Sequence, residues 1–155
     1  MIKSLDLTDN TLLQELYDLQ KASYQVEAER IGFYEIPTLK ESIEELKESK
    51  EKLLGFFCSE LLCGAISWTE EGGLVTICKL MVHPGYFRRG IAQALISKLE
   101  ESVPEAKGFR VSTGRDNFPA LLLYQKNGFQ VIEEREVAPS FYISILEKND
   151  IINSR

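Results

Sequence analysis

The sequence predicts an α/β domain with a mixed, mostly antiparallel sheet of seven strands and about four helices. First, 155 residues of which 44% are hydrophobic suit a single domain with a substantial core. Second, three apolar runs between residues 53 and 82 are separated only by short turns, which indicates an antiparallel meander. Third, the strand, helix and strand between residues 74 and 113 require a parallel, right-handed crossover.

The first third of the chain predicts one strand and two helices. Residues 2–7 alternate apolar and polar side chains, as a strand does. Thr8 or Asp9 can cap a helix whose apolar stripe fades near Ser23. Thr38 and Glu41 have the spacing of a capping box ahead of a second helix.

The segment between these two helices, residues 24–36, lacks clean periodicity. It fits a packed loop or a further helical turn. A substrate-facing segment is the functional alternative, because aromatic residues mixed with acidic ones suit a cationic small molecule. Its acidic residues are Glu27, Glu29 and Glu35.

The meander comprises predicted strands at residues 53–58, 61–69 and 74–82, joined by turns at residues 59–60 and 70–73. Their apolar runs are nearly continuous. Such strands belong to a sheet covered on both faces, so a three-layer α-β-α arrangement is expected.

The second half of the chain alternates between helices and strands. Pro119 in a first turn and Asn127-Gly128 as a stop delimit one helix well. The predicted helices begin at Gly90 and at Phe118, and the predicted strands are residues 109–113, 129–136 and 141–146. The domain is expected to span residues 1–147, followed by a polar tail of residues 148–155 that frays.

The stretch from residue 74 to 93 predicts an anion site. A strand leads through a short turn to Gly90, which lies at the start of an apolar-periodic helix. The first-turn N–H groups of a helix have no intrahelical partner, the macrodipole makes that end positive, and a glycine admits close approach. Phosphate is the natural ligand of such an end, and Arg88 and Arg89 add charge. A tight connection without a ligand is the alternative.

Two other phosphate-binding motifs are absent. Neither GxGxxG nor GxxxxGK[ST] occurs in the chain. The predicted site is therefore neither a dinucleotide-binding turn nor a Walker loop.

Asn117 and Tyr124 form a second candidate pair. They are seven residues apart on one predicted helix, so they share a face and lie roughly 10 Å apart along its axis. A capping asparagine and a packed tyrosine with a surface hydroxyl are the structural alternatives. Since the helix follows a strand parallel to the one before Gly90, both side chains are expected to line one ligand groove.

Charge and composition exclude several function classes. With a formal net charge of −6 and a pI near 5.0, the chain lacks the basic face that nucleic acid requires. No membrane-spanning run and no apolar signal core are present, so a cytoplasmic protein is expected. Cys58, Cys63 and Cys78 read as reduced core thiols. With His83 as the single histidine, no metal site is expected.

Together, these pieces resemble the GNAT-superfamily N-acetyltransferases. The matching pieces are residues 80–84, residues 89–92, Asn117 and residues 123–129. They cover the centre and the C-terminal half of the chain. The resemblance implies the family's fold, acetyl-CoA as cosubstrate without a metal, and acyl transfer to a primary amine.

The resemblance also implies roles for individual residues. The family's acyl-CoA loop aligns with residues 87–92, where Phe87 replaces the expected Gln or Arg, and the strand before it pairs through its main chain with the pantetheine amides. Tyr124 matches the tyrosine that protonates the departing CoA thiolate. The implied cofactor-binding residues are Leu80, Met81, Val82, Arg88, Arg89, Gly90, Ile91, Ala92, Gln93, Asn117 and Tyr124.

The acceptor and the general base stay open. A small-molecule amine fits, and a peptide amine is not excluded. Glu27, Glu70, Glu71 and His83 are all conceivable bases, although a structural or solvated role suits each. A non-catalytic acyl-CoA sensor of the same fold and a protein for another phosphorylated metabolite are the rival functions. The sequence does not fix an oligomeric state, and a homodimer stays open.

Overall fold

A computed structural model describes residues 1–149 and confirms the α/β architecture. The strands are β1 (Ile2–Ser4), β2 (Lys52–Cys58), β3 (Leu61–Glu71), β4 (Leu74–Val82), β5 (Gly108–Gly114), β6 (Gln130–Ala138) and β7 (Phe141–Asn149). The helices are α1 (Asn10–Ile31), α2 (Pro37–Lys40), α3 (Ile43–Glu48), α4 (Ile91–Ser102) and α5 (Phe118–Lys126), with a 3-10 helix at Pro84–Tyr86. Seven strands were expected; a single predicted helix became α2 and α3.

The seven strands form one mixed sheet in the order β1-β2-β3-β4-β5-β7-β6. Strands β4 and β5 are parallel, pairing residues 74–76 with residues 108–110, which confirms the predicted crossover through α4. The pairs β1–β2, β2–β3, β5–β7 and β6–β7 are antiparallel.

Helix α1 is longer than expected. The prediction that this helix fades near Ser23 was wrong, because Tyr24 and Ala28 are buried and continue the apolar stripe at four-residue spacing. Asp9 caps the first turn, accepting from the N–H groups of residues 11 and 12. The helix ends at Gly32, which has the left-handed φ of 70° typical of a terminating glycine.

The capping box lies four residues later than predicted. The Ser42 hydroxyl accepts from the Glu45 N–H at 3.1 Å, and the Glu45 carboxylate accepts from the Ser42 N–H at 2.9 Å. The predicted pair of Thr38 and Glu41 does not form because the Glu41 carboxylate binds the Lys79 ammonium at 2.7 Å. A contact 38 positions away in the chain thus outweighs a local cap.

Contacts group the described residues into two units. The first comprises residues 1–68 and 78–103, and the second comprises residues 69–77 and those from 104 onward. In the first unit, leucines of α1 and α3 pack against Ala65 and Met81 on one sheet face. A Cβ on neighbouring Gly64 would point instead toward Ile91 and Leu95 of α4. Helices therefore cover both faces of the sheet in this unit.

The second unit contains β5, α5, β6 and β7. Its most deeply buried side chains include Phe109, Phe129 and Leu146. Strand β7 continues to Asn149, three residues beyond the predicted end of that strand at residue 146. The expected fraying of residues 150–155 lies outside the described residues.

Candidate active site

The turn between β4 and α4 holds a strained backbone. The Nδ1 atom of His83 accepts from the Gly85 N–H at 3.0 Å, which caps the 3-10 helix at Pro84–Tyr86. Arg88 has a φ of 66° and Gly90 a φ of 77°, both in the left-handed region. A non-glycine residue is uncommon there, and the strain at Arg88 is a feature that functional loops often show.

The amino end of α4 combines an open approach with positive charge. Gly90 occupies the N-cap position and offers no capping side chain. A Cβ built on it would have no heavy atom within 4 Å. Within residues 1–149, neither Arg88 nor Arg89 forms an ion pair, and the Arg89 guanidinium lies 5.0 Å from the Tyr86 ring centroid. These features favour an anion at this helix end.

Two side-chain hydroxyls of α1 accept hydrogen bonds from main-chain N–H groups at the end of β4. The Leu80 N–H donates to the Tyr24 hydroxyl at 3.2 Å, and the Val82 N–H donates to the Ser23 hydroxyl at 3.3 Å. On the other edge of β4, the His83 N–H donates to the carbonyl of Cys63. The N–H groups expected to pair with a cofactor are thus hydrogen-bonded to side chains in this structure.

Sequence reasoning missed this role of Ser23 and Tyr24. Both lie where α1 was expected to fade. Continuing the helical periodicity past Ser23 to the buried Tyr24 and Ala28 is the signal that would have placed them.

Two groups beside this turn, the Cys58 thiol and the Tyr86 phenol, are poor proton acceptors. A hydrogen bond with Cys63, together with burial, raises the pKa of the Cys58 thiol. The electrostatic interaction with neighbouring Cys63, and then the hydrogen bond with it, raises the pKa of Tyr86. Both groups therefore keep their protons at neutral pH and are unsuited to act as a general base.

In the second unit, Asn117 and Tyr124 are both buried, with 4% of each residue exposed. The Asn117 side chain does not cap α5, although the residue holds the N-cap position. Its Nδ2 donates to the Thr113 hydroxyl at 3.2 Å, and its Oδ1 is buried without a hydrogen-bond partner among the described residues. Because a buried orphan acceptor is costly, Asn117 is suited to take a donor from a ligand.

The Tyr124 ring packs edge-to-face on Phe129, with centroids 5.5 Å apart. This contact, together with burial, holds the ring in one orientation.

Residues 1–149 offer neither a cluster of metal ligands nor a membrane-spanning helix. Those residues include no group of three or more His, Cys, Asp or Glu side chains placed to hold a metal ion. None of their helices combines the length and the apolar character needed to cross a membrane.

The family follows from the match of a family model. The model, described as an acetyltransferase (GNAT) domain, matches residues 49–131, which is more than half of the chain. The chain belongs to the GNAT acetyltransferase superfamily, as its motifs predicted.

One curated relative extends well beyond this chain. The UPF0157 protein YqkA of Bacillus subtilis (strain 168) is 34% identical over 145 residues. That match covers 94% of this chain but 42% of the relative.

Solved acetyltransferases share the fold. The PaiA N-acetyltransferase of Thermoplasma acidophilum, in complex with coenzyme A, matches with a TM-score of 0.79 at 23% identity, covering 96% of this chain and 98% of its own. The ribosomal-protein-S18-alanine N-acetyltransferase of Escherichia coli matches with a TM-score of 0.78 at 17% identity, covering 96% and 92%. An aminoglycoside 6'-acetyltransferase type Ii matches with a TM-score of 0.74 at 18% identity, covering 96% of both chains.

Proposed function

We propose that the protein transfers an acetyl group from acetyl-CoA to a primary amine. The amino end of α4 carries this proposal, because an uncapped N-terminus with Gly90 at φ 77°, beside two arginines that form no ion pair within residues 1–149, suits the pyrophosphate of CoA. In this proposal, Arg88 and Arg89 supply charge while the N–H groups of residues 91–93 supply hydrogen bonds. The absence of a side chain on Gly90 lets the phosphates approach.

The cosubstrate's pantetheine arm is proposed to pair with the main chain of residues 80–82. The Leu80 and Val82 N–H groups would then exchange the hydroxyls of Tyr24 and Ser23 for cofactor carbonyls. Asn117 fits as a further contact, since its Oδ1 is buried without a partner in the described residues and can accept from a cofactor amide.

Acyl transfer requires three events that protein groups can assist. The neutral amine attacks the thioester carbonyl carbon and forms a C–N bond, and main-chain N–H groups can stabilise the oxyanion. The C–S bond then breaks, and we assign protonation of the leaving thiolate to the Tyr124 hydroxyl. The attacking nitrogen gives up its proton to a base or to water.

The acceptor is proposed to be a small-molecule amine or a peptide amine. The names of the structural neighbours cover both kinds, namely an aminoglycoside and the alanine of a ribosomal protein. Those matches are below 25% identity and support the fold alone, so the choice between the two classes rests on experiment.

A thiol-release assay tests the proposal. The protein is mixed with acetyl-CoA and, in turn, with polyamines, aminoglycosides, amino acids and short peptides. We expect one class to release free CoA at a rate that saturates with amine. Binding of acetyl-CoA with no amine-dependent thiol release would favour the non-catalytic sensor. If simple nucleotides competed with acetyl-CoA for binding as effectively as CoA does, a different phosphorylated ligand would be favoured.

A further inference from the structure

Three side chains contact one another in series along the turn between β4 and α4. The His83 and Tyr86 rings meet edge to face, with centroids 5.9 Å apart and planes at 78°. The Arg89 guanidinium lies over the Tyr86 ring, 5.0 Å from its centroid. The series therefore runs from the residue after β4 to the residue before Gly90, the N-cap of α4.

Tyr86 is the anchored member of this series. Its hydroxyl shares a hydrogen bond with the thiol of Cys63, a residue that is buried in β3. The Cys63 thiol donates in turn to the Leu61 carbonyl at 3.3 Å. At its other end, the Tyr86 N–H donates to the His83 carbonyl at 2.8 Å. The ring is thus held both by its hydroxyl and by its backbone.

Arg89 is a side chain whose order matters for binding. An arginine has many rotamers, and ordering one such side chain on binding weakens affinity about 2- to 12-fold. Within residues 1–149, the Arg89 guanidinium forms no ion pair, and it lies against the Tyr86 ring instead. Cation–π attraction acts through the face of the ring, so it leaves guanidinium N–H groups available to an anion.

The composition of the loop makes the placement of Arg89 important. Position 87, where the resemblance to the family predicts Gln or Arg, holds Phe87. The positive side chains before Gly90 are therefore those of Arg88 and Arg89. Of these two, Arg89 is the one with a ring contact that restricts its movement.

We propose that Tyr86 is a positioning residue of the acetyl-CoA site, whose ring holds the Arg89 guanidinium ready for the cosubstrate's pyrophosphate. The inference rests on the proposed acyl transfer and adds a residue that acts through Arg89. Because Arg89 is ordered when the chain folds, less conformational entropy is lost when the cosubstrate binds.

Titration calorimetry of the full chain with acetyl-CoA tests this role. Tyr86→Leu removes the ring and is expected to weaken binding about 2- to 12-fold. Tyr86→Phe keeps the ring and should bind acetyl-CoA more tightly than Tyr86→Leu. Tyr17→Leu is the matched control, because the Lys21 ammonium lies 5.0 Å from the Tyr17 ring centroid on α1. That control should bind acetyl-CoA as the unmodified chain does.

A double-mutant cycle distinguishes positioning of Arg89 from a general effect on the loop. In an Arg89→Gln background, Tyr86→Leu should have no further effect on acetyl-CoA affinity. Added salt should also reduce the effect of Tyr86→Leu, because salt screens an exposed contact between Arg89 and a phosphate. An effect of Tyr86→Leu that is the same with and without Arg89, or at low and high salt, would overturn the proposal. Unchanged or tighter binding by Tyr86→Leu would overturn it too.

Nitrogen relaxation of the arginine Nε–H groups gives a test that needs no substitution. In the cofactor-free full chain, we expect the Arg89 side chain to be more ordered than that of Arg88. Equal disorder of the two side chains would contradict the positioning role.

Failure of this inference and failure of the proposed function are distinguishable. If Arg89→Gln weakens acetyl-CoA binding while Tyr86→Leu does not, the proposed phosphate site stands and only the role of Tyr86 is lost. If the unmodified chain does not bind acetyl-CoA, the proposed function itself is refuted.

Discussion

Replacing Gly90 by asparagine and by aspartate separates backbone strain from charge at the proposed phosphate site. The φ of 77° is one that Asn and Asp tolerate better than other side chains. A Cβ at this position meets no heavy atom within 4 Å, so neither side chain clashes at its first carbon. The two variants are therefore expected to lose similar stability, about 1 kcal/mol each.

Only the aspartate adds a negative charge where a pyrophosphate would bind. Two unit charges about 5 Å apart interact by about 1–3 kcal/mol for effective dielectric constants between those of water and a protein surface. Gly90→Asp should therefore bind acetyl-CoA about 5- to 150-fold more weakly than Gly90→Asn. Added salt should narrow the difference, because the site is exposed.

Titration calorimetry at two salt concentrations measures this difference, and denaturant unfolding checks the stability of each variant. Gly32 provides the matched control, since it also has a left-handed φ of 70° and open space at its Cβ. Gly32→Asp and Gly32→Asn should bind acetyl-CoA alike. Equal affinities in the Gly90 pair would refute phosphate binding at this helix end.

Three further substitutions probe other parts of the proposal. Tyr124→Phe should lower turnover at least tenfold with little change in acetyl-CoA affinity, as expected for loss of a general acid; unchanged turnover in the thiol-release assay would remove Tyr124 from the mechanism. Tyr24→Phe should cost about 1 kcal/mol of stability, measured by calorimetry. It should also strengthen acetyl-CoA binding, because it frees the Leu80 N–H for a cofactor carbonyl. Weaker acetyl-CoA binding would contradict the proposed exchange of the Tyr24 hydroxyl for that carbonyl. The Ser42 main-chain N–H bond, and then its hydroxyl, lowers the pKa of Glu45, so this carboxylate stabilises the fold above its unfolded pKa and the contribution is lost as acid protonates it. Glu45→Ala should therefore flatten the fall of melting temperature on acidification; an unchanged slope would argue against the cap.

The most accurate predictions concerned elements with strong local signals. The bounds of β4 (Leu74–Val82) and α5 (Phe118–Lys126) were predicted to the residue. A nearly continuous apolar run between turns defines the first, and a first-turn proline with an Asn-Gly stop defines the second. The crossover between β4 and β5 followed from element order alone.

The errors concerned residues whose partners are distant in the chain. The capping box was misplaced because Glu41 pairs with Lys79, and α1 was cut short because the burial of Tyr24 depends on the sheet. In the same way, the hydrogen bond between Tyr24 and Leu80 links residues 56 positions apart. No local pattern encodes such a contact.

The sequence by itself determined the family, the order of strands and helices, and the placement of Gly90 at a helix start, because these depend on hydrophobic periodicity, turn and capping residues, and motif spacing. Only the tertiary structure decided that the hydroxyls of Ser23 and Tyr24 accept hydrogen bonds from main-chain N–H groups at the end of β4. It also decided that the Asn117 side chain does not cap its helix, and that Gln20 and Lys79 both contact the Glu41 carboxylate. The physical reason is that a buried polar group must find its partners in space, and the folded chain brings them together from distant positions.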